Sequence, residues 1–335
     1  MRSPTRNASH EEAARKPTVL LADDHPDILK SLTRLLSFDF DVVAAAANSE
    51  QALEAALRFD PDIALLDITM PGRDGFQTAR DLRQRGVRAR IVFLTMHESD
   101  EFVTEAFRSG ARGYVIKTRL HVDLISALEC VLAGQIFLPS LRSLFAINDS
   151  PLGHVLQLHA DDAALIEGVG SFLNAALRRG DAVSVASTAP VRAALAERLG
   201  EFGWTVGESG EFGRYRASDS VAAGLSVLSD GHAVPDRIAS YVAGLDRWRV
   251  ATAGAQSRLT VVGDIATQLA LGENADAAME LEHLWSEVTR ALPFLTVCCY
   301  PMTPFADDTG QVSPHLCAEH FAVTHTPESG ISSLI

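Results

Sequence analysis

The 335-residue chain has no lysine after Lys117, only four cysteines, and no apolar run approaching the roughly 18 to 20 residues of a membrane-spanning helix. Its N-terminus, MRSPTRNASHEEAARKP, also lacks the apolar core of a secretory signal. Without a later lysine, the C-terminal half cannot contain a nucleotide-binding loop of the GxxxxGK type. These absences predict a cytoplasmic protein with no membrane association and exclude one large class of nucleotide-binding enzymes from its second half.

Basic residues are scarce in the second half of the chain. Residues 151–335 carry 11 basic residues against 22 acidic ones, and the formal net charge of the whole chain is -14. Proteins that bind phosphate backbones present clustered lysine and arginine, and a helix-turn-helix needs a basic recognition helix. We find neither in residues 140–335, so nucleic acid is not expected to be a partner of this half.

The cysteines show no spacing that indicates a metal site or a disulfide framework. They are Cys130, Cys298, Cys299 and Cys317. None forms a CxxC pair, and two adjacent cysteines cannot readily bridge to each other or supply a closed zinc site. We interpret all four as ordinary buried thiols.

The chain length and its apolar periodicity predict two α/β domains. From residue 18, five short apolar runs alternate with amphipathic segments; the runs are TVLLA, DVVAAA, DIALLD, RIVFLT and GYVIK. Such alternation predicts a doubly wound, five-stranded parallel sheet. We predict a disordered leader (1–17), a first domain (18–138), a linker (139–152), a second α/β domain (153–326) and a flexible tail (327–335).

The second domain has a less regular alternation of strands and helices. Its predicted strands are HVLQLH, DAVSVAS, WTV, RLTVVG and FLTVCCY, and amphipathic helical patterns lie between them. Residues 305–335 are polar, and we expect them to be irregular.

Four of the five strands of the first domain end in residues that carry chemistry. Strand one ends in Asp23 and Asp24, strand three in Asp67, strand four in Thr95 and strand five in Lys117. In an open parallel sheet the active site lies at the carboxyl ends of the strands. Three clustered carboxylates repel one another unless a hard cation lies among them, and Mg²⁺ prefers oxygen ligands. The pattern therefore predicts a Mg²⁺ site.

This charge arrangement favours phosphoryl transfer to Asp67. With Mg²⁺ and Lys117 neutralising charge, the Asp67 carboxylate can attack a phosphoryl group and form an aspartyl phosphate. Thr95 is placed to bind the new phosphoryl oxygens, and Tyr114 is a candidate to change rotamer with it. Each residue also has an ordinary structural interpretation, as a helix cap, a turn residue or a solvated charge. Their coincidence at the strand ends favours the functional interpretation.

Residues 18–137 resemble the receiver domain of two-component response regulators, a CheY-like fold. The matching strings are LLADDHP, DIALLDITMPGRDG, FLTMH and GARGYVIK. The resemblance makes Asp23 and Asp24 the acidic metal pair, Asp67 the phosphoacceptor, Thr95 the switch hydroxyl and Lys117 the phosphate-contacting lysine. It also implies that the backbone carbonyl of Thr69 completes the metal shell. Thr118 departs from the proline that many relatives have, which puts the peptide geometry at Lys117 in question.

Residues 153–326 resemble the MEDS sensory domain, for which a RecA-like sheet without nucleotide-binding residues is implied. The resemblance lies in scattered strings: GHVLQLHADDAAL, FLNAALRRGDAVSVAS, LTVVGDIATQL, LEHLWSEV, FLTVCCYPM and a late His320. The chain departs from the family near His159, where a tyrosine is common, and at Asp264, where a glutamate is common.

Four polar residues of the second domain are candidates for a ligand pocket or a metal site. They are His154, Asp264, Glu282 and His320. The ordinary alternative is a helix cap, a surface pair and a hydrogen-bonded core histidine, and the sequence offers no spacing that decides between the two.

The first functional hypothesis is a signalling switch. A histidine kinase or phosphotransfer protein phosphorylates Asp67, and the MEDS-type domain responds by binding a small molecule or a downstream protein. The second is a phosphorylation-dependent, DNA-binding transcription regulator, which the acidic second half disfavours. An enzymatic second domain lacks a nucleophile–base pair, so we expect no catalysis beyond the receiver's own phosphoryl transfer and dephosphorylation. Homodimer formation is left open.

Overall fold

The computed structural model describes residues 15–148, 152–207, 211–305 and 319–326, and it divides into two compact units at Ala89 and Arg90. Most of the predicted leader, the whole predicted tail and Cys317 lie outside the described residues. None of the helices in the described part is long and apolar enough to cross a membrane.

The first unit alternates three strands with three helices. They are β1 (Thr18–Ala22), α1 (Pro26–Leu36), β2 (Asp41–Ala46), α2 (Ser49–Phe59), β3 (Ile63–Asp67) and α3 (Gly75–Gln84). β1 pairs in parallel with β2 on one side and with β3 on the other. Every residue of β1 and β3 is buried, as the continuous apolar runs predict for strands covered on both faces.

Side-chain caps fix where two of these helices begin. The Asn48 side chain accepts a hydrogen bond from the backbone N–H of Gln51 at the start of α2, and Asp74 accepts one from Gln77 at the start of α3. Such caps satisfy amide groups that the first helical turn leaves without partners. The α3 cap matters for the site, because it sets the end of the loop that follows β3.

The second unit begins with the remaining strands predicted for the first domain. Its first elements are β4 (Arg90–Thr95), α4 (Asp100–Ser109), β5 (Ala111–Ile116), a 3₁₀ turn (Lys117–Arg119), α5 (Leu120–Leu132), β6 (Ile136–Leu138) and α6 (Ser143–Ile147). Helix α6 lies inside the predicted linker and packs on α4, where the Thr104 hydroxyl donates to the carbonyl of Ala146 at 3.1 Å.

The second unit continues with a larger set of strands and helices. They are β7 (Gly153–His159), α7 (Asp162–Arg178), β8 (Ala182–Ser187), α8 (Ala189–Glu201), β9 (Glu211–Phe212), β10 (Tyr215–Asp219), α9 (Ser220–Val227), β11 (Leu228–Ser229), β12 (His232–Ala233), α10 (Pro235–Ala253), β13 (Leu259–Gly263), α11 (Ile265–Leu271), α12 (Ala275–Thr289), β14 (Phe294–Pro301), α13 (Met302–Phe305) and β15 (Ala322–Thr326). The sheet order within this unit is β4-β5-β6-β15-β7-β14-β13-β8-β10-β9, and the pairing is parallel except between β9 and β10.

Two expectations about the second domain were wrong. Residues 305–335 were expected to be irregular; the structure describes residues 305 and 319–326 of this range, and β15 there pairs in parallel with both β6 and β7. Its interior position leaves Ala322, Val323 and Thr324 fully buried, although the surrounding sequence is polar. The segment WTV, expected to be a strand, forms no regular element; Trp204 instead stacks on Phe212 with ring centroids 5.5 Å apart.

Candidate functional site

Two buried aspartates end neighbouring strands in the first unit. Asp67 is the last residue of β3, and Asp23 follows β1 directly. Ala22 pairs with Leu66 in the parallel ladder, so Asp23 and Asp67 lie at the same carboxyl edge of this sheet. Both are nearly inaccessible, at 1% and 4% exposure. A buried carboxylate requires compensating positive charge, and the sequence pattern predicts a cation at this position.

Asp24 and His25 extend this group toward solvent. Nδ1 of His25 lies 2.8 Å from Oδ1 of Asp24 and 3.3 Å from Oδ1 of Asp23, and the Asp23 carboxylate also accepts a hydrogen bond from the His25 backbone N–H. One ligand atom of each of the three residues lies within 4.8 Å of the others. Two carboxylates at a partly solvated strand end are the oxygen donors that Mg²⁺ takes while keeping several waters. The residues present therefore fit this ion.

The segment after Asp67 is held by a glycine. A Cβ on Gly75 would lie 2.3 Å from the carbonyl oxygen of Asp67, and the Gly75 N–H donates to the carbonyl of Ile68 at 2.8 Å. Only glycine allows α3 to begin this close to the end of β3. The exposed Thr69 follows in the same segment. The role of its carbonyl in metal binding stays a prediction.

Thr95, Tyr114 and Lys117 lie in the second unit. Thr95 pairs with Ile116 across the β4–β5 ladder, so Thr95 and the next residue, Lys117, follow the same edge. The buried Thr95 hydroxyl accepts a hydrogen bond from the backbone N–H of His97 at 3.1 Å, and the Tyr114 hydroxyl donates to the His97 carbonyl at 2.9 Å. Burial raises the pKa of Tyr114 above its ordinary value, so the phenol stays a neutral donor. His97 thereby links the two hydroxyl groups.

A second polar cluster lies deep in the second unit, and it contains three of the four predicted pocket residues. Oε2 of Glu282, on α12, lies 3.1 Å from Nε2 of His154 on β7 and 3.8 Å from Nε2 of His320. Cys298 on β14 completes the cluster: its Sγ lies 2.8 Å from Nε2 of His154 and 3.5 Å from Oε2 of Glu282. Glu282, His154 and His320 are each at most 5% exposed.

Neighbouring hydroxyl groups orient the side chains of this cluster. Ser286 lies 2.8 Å from Nδ1 of His154, and the Tyr300 hydroxyl donates to Oε1 of Glu282 at 2.6 Å. Burial by itself would raise the pKa of Glu282, but the charge and hydrogen bond of His154, with help from His320 and Tyr300, lower it to about 2. Burial and the Glu282 charge raise the pKa of the Cys298 thiol. The carboxylate is therefore the fixed negative charge of the cluster.

Comparison with known protein families gives two matches along the chain. The response regulator receiver domain matches residues 19–129. The domain described as "MEthanogen/methylotroph, DcmR Sensory domain", MEDS, matches residues 153–313. The chain is 31% identical over 161 residues to the response regulator GacA of Pseudomonas viridiflava, which is 45% of this chain and 75% of GacA. The chain belongs to the response regulator family.

Other relatives of this response regulator match part of the chain. The nitrate/nitrite response regulator protein NarL of Escherichia coli (strain K12) is 39% identical over 132 residues, which cover 39% of this chain and 60% of NarL. A crystal structure of a LuxR-family two-component response regulator from Aurantimonas sp. SI85-9A1 is 37% identical, with 36% of this chain and 87% of that chain covered and a TM-score of 0.35.

The two family matches bear out the predicted architecture of this response regulator, a CheY-like receiver domain followed by a MEDS domain in a mostly parallel α/β chain. All predicted receiver residues, from Asp23 to Lys117, fall inside the receiver match. The MEDS match contains His154, Glu282 and Cys298, whereas His320 lies beyond its end. The RecA-like arrangement of the second domain stays a prediction.

The structure separates Asp264 from the other predicted pocket residues and adds Cys298. Asp264 is not among the described side chains whose ligand atoms come together with His154 and Glu282. Its carboxylate instead accepts a hydrogen bond from Ser187 at 2.7 Å, and burial raises its pKa. The interpretation of Cys298 as an ordinary thiol overlooked its position on β14, since Cys298 pairs with Leu156 two residues after His154.

A small, mainly apolar cavity adjoins the second cluster. It measures about 50 Å³, and its lining includes Tyr241, Leu281, Trp285, Glu282 and Cys298. This volume holds one or two waters rather than a larger molecule. Glu282 and Cys298 belong to both the cavity and the cluster, so the cavity leads to the cluster from the side of α10 and α12.

Proposed function

We propose that this response regulator accepts a phosphoryl group on Asp67 from a histidine kinase or a phosphotransfer protein. Asp23, Asp24, Asp67 and the backbone carbonyl of Thr69 would hold Mg²⁺. The observation that carries the proposal is the buried Asp67 carboxylate at the end of β3, at the same sheet edge as the buried Asp23. The receiver match over residues 19–129 supports it.

Each proposed residue has a chemical task. A carboxylate oxygen of Asp67 attacks the phosphorus of a phosphohistidine, so a P–O bond forms as the P–N bond breaks. When held by these residues, Mg²⁺ would supply positive charge near the transferring phosphoryl oxygens. The Lys117 ammonium would pair with a phosphoryl oxygen after transfer, and the Thr95 hydroxyl would donate to another. Asp23 and Asp24 keep the site anionic until the cation binds.

We propose that the signal leaves the site through Thr95 and Tyr114. The Thr95 hydroxyl accepts the N–H of His97, and the Tyr114 hydroxyl holds the carbonyl of the same residue. If the Thr95 hydroxyl turns toward a phosphoryl group, the His97 N–H loses its acceptor and the Tyr114 contact weakens with it. Phosphorylation would then favour a different arrangement of this loop.

We propose that the MEDS domain is the output part, acting in the cytoplasm by binding a small molecule or a downstream protein. The proposed boundaries are 18–138 for the receiver, 139–152 for the linker and 153–326 for the MEDS domain. The acidic balance of the second half argues against DNA as its partner.

Labelling with a small phosphodonor tests the phosphoacceptor. We expect the full-length protein to gain one phosphoryl group from acetyl phosphate in the presence of Mg²⁺, as measured by intact mass. Asp67→Ala removes the nucleophile, so its labelling should fall to background. Asp81→Asn is the matched control, because Asp81 lies on α3 close in sequence and pairs with Arg73, and it should label like the parent. Equal labelling of Asp67→Ala would refute the assignment.

Hydrogen exchange tests whether the MEDS domain responds to phosphorylation of Asp67. Full-length protein is compared with and without acetyl phosphate, with Asp67→Ala as the control that receives phosphodonor without being labelled. We expect changed exchange in α6 and β15, because α6 packs on α4 and β15 lies between β6 and β7. Identical exchange in residues 153–326 in all samples would contradict an output through this domain.

A further inference from the structure

We propose that His154, Glu282, Cys298 and His320 bind one divalent transition-metal ion of the zinc class inside the MEDS domain. The four ligand atoms, two imidazole nitrogens, one carboxylate oxygen and one sulfur, lie within 4.8 Å of one another. The proposal does not depend on phosphorylation of Asp67.

The distances between the donor atoms suit one tetrahedral ion. Zinc bonds of about 2.0 to 2.1 Å to nitrogen or oxygen and about 2.3 Å to sulfur place neighbouring ligand atoms roughly 3.3 to 3.7 Å apart. The distances from Oε2 of Glu282 to Nε2 of His154, to Sγ of Cys298 and to Nε2 of His320 are 3.1, 3.5 and 3.8 Å. The pair formed by His154 and Cys298 is closer, at 2.8 Å. For these four pairs, changes of less than one ångström would give the distances of a zinc site.

The surrounding shell orients the ligands as metal sites require. His154 has its Nδ1 engaged with Ser286, which leaves Nε2 directed at the cluster. Glu282 has its Oε1 engaged with Tyr300, which leaves Oε2 for the ion. Such outer hydrogen bonds fix the imidazole tautomer and hold ligating carboxylates in place. Three of the ligands stand on regular elements, β7, α12 and β14, and His320 lies two residues before β15.

Charge compensation favours a divalent ion at this position. Glu282 is 2% exposed, and His154 and His320 beside it are also buried. A carboxylate and a metal-bound thiolate supply two negative charges, which a divalent cation neutralises. Imidazole and thiolate ligands select zinc-class ions, whereas Mg²⁺ prefers oxygen and water. The cluster therefore differs in metal preference from the receiver carboxylates.

The cavity beside the cluster borders two of the proposed ligands. Cys298 and Glu282 line this cavity of about 50 Å³, and Cys298 is partly exposed. An ion bound there would tie together β7, β14, α12 and the segment that enters β15. Metal occupancy would thus stabilise the MEDS domain as a unit.

Cobalt substitution of the full-length protein tests the site. We expect metal-free protein in excess Mg²⁺ to bind one Co²⁺ per chain, with intense tetrahedral d–d bands and a sulfur-to-cobalt charge-transfer band, and Zn²⁺ to displace it. Cys298→Ser should lose the charge-transfer band, and His154→Ala should weaken binding by about 10-fold or more. The matched control is Cys299→Ser, since Cys299 is the adjacent thiol but not part of the cluster, and it should keep the band. Cys317→Ser should also keep it.

X-ray absorption at the zinc edge keeps the proposal testable if a variant does not fold, because it uses the unaltered chain. We expect one sulfur and three nitrogen or oxygen neighbours. Failure of the unaltered protein to retain one Zn²⁺ or Co²⁺ per chain would overturn the proposal, as would a shell without sulfur. A charge-transfer band that survives in Cys298→Ser would also overturn it. None of these outcomes bears on labelling of Asp67.

Discussion

The two clusters of potential metal ligands in this response regulator are built in opposite ways. In the receiver, Asp23, Asp24 and His25 are consecutive residues at one strand end, and His25 is 66% exposed. In the second unit, the cluster of His154, Glu282, Cys298 and His320 is drawn from separate segments of the chain; the two histidines and Glu282 are buried, and Cys298 is partly exposed. Asp24 and His25 keep part of their contact with water, whereas buried carboxylates such as Asp23 and Glu282 depend on the groups around them.

This difference sets how strongly the fold should depend on each cluster. A carboxylate that water still reaches can lose a neighbour at small cost, because solvent replaces the interaction. Water cannot replace a lost partner of a buried carboxylate such as Glu282. Its charge is stabilised by His154, His320 and the Tyr300 hydroxyl. We expect the largest effects on folding from the buried Glu282 and the smallest from the more exposed Asp24.

Removing Glu282 is the most severe test of this contrast. Glu282→Ala leaves His154, His320 and the Tyr300 hydroxyl without their shared partner, so we expect a loss of about 3 to 5 kcal/mol in the free energy of unfolding. Urea unfolding followed by tryptophan fluorescence measures it, because all three tryptophans lie beyond residue 200 and report on the MEDS domain.

Glu280→Ala is the matched control for Glu282→Ala. Glu280 lies on the same helix and pairs with the exposed His232, so its removal should change the urea midpoint little. Equal losses from the two substitutions would contradict the view that burial decides how strongly the fold depends on each carboxylate.

The sequence could predict the receiver because its signals are local. Five strands of the first domain appear as apolar runs, and the residues directly after them carry the chemistry. Since parallel strands end at a common edge, Asp23 and Asp67 needed only the strand pattern to be placed together. The constraint on Gly75 was not predicted, because it arises from the approach of α3 to the Asp67 carbonyl.

The MEDS cluster could be predicted only in part, because its contacts are long-range. His154, Glu282 and His320 were chosen by residue type, and their meeting depends on the order of β7, β14 and β15 in the sheet. Asp264 also carries a carboxylate, but it follows β13 and accepts a hydrogen bond from Ser187. Cys298 was missed because adjacent cysteines face opposite sides of a strand, and the sequence does not say which side meets α12.

The buried His159 provides a second test of how burial of an ionisable group affects stability, this time through the pH. Burial lowers the pKa of His159 to about 4 from an unfolded value near 6.5, despite the nearby Asp161 and Asp162. Between pH 6.5 and 4 the unfolded chain binds a proton that the folded chain does not, so stability falls as the pH falls. Below pH 4 both states are protonated and this contribution stops changing. We expect a loss of about 2 to 4 kcal/mol across the window.

The substitution His159→Phe isolates this contribution. Between pH 6.5 and 4, the free energy of unfolding of the variant should lack the part of the pH dependence that His159 contributes. Above pH 7, where His159 is neutral in both states, the difference in this free energy between variant and parent should be constant. Urea unfolding at a series of pH values measures both. An unchanged slope in His159→Phe would show that the pH dependence arises from other groups.

The smallest effect is expected at the exposed end of the receiver cluster. Asp24→Asn removes one of two adjacent carboxylates and weakens the contact with His25, so without Mg²⁺ the free energy of unfolding should change by less than about 1 kcal/mol. With Mg²⁺ the two proteins should diverge, since an ion that binds the folded state raises the melting temperature of the parent and should do so much less in the variant. Calorimetry measures both quantities, and Asp27→Asn, an exposed neighbour on α1 paired with Lys30, is the control that should respond to Mg²⁺ like the parent. If Asp24→Asn keeps the full Mg²⁺ response, Asp24 does not contribute to the ion site.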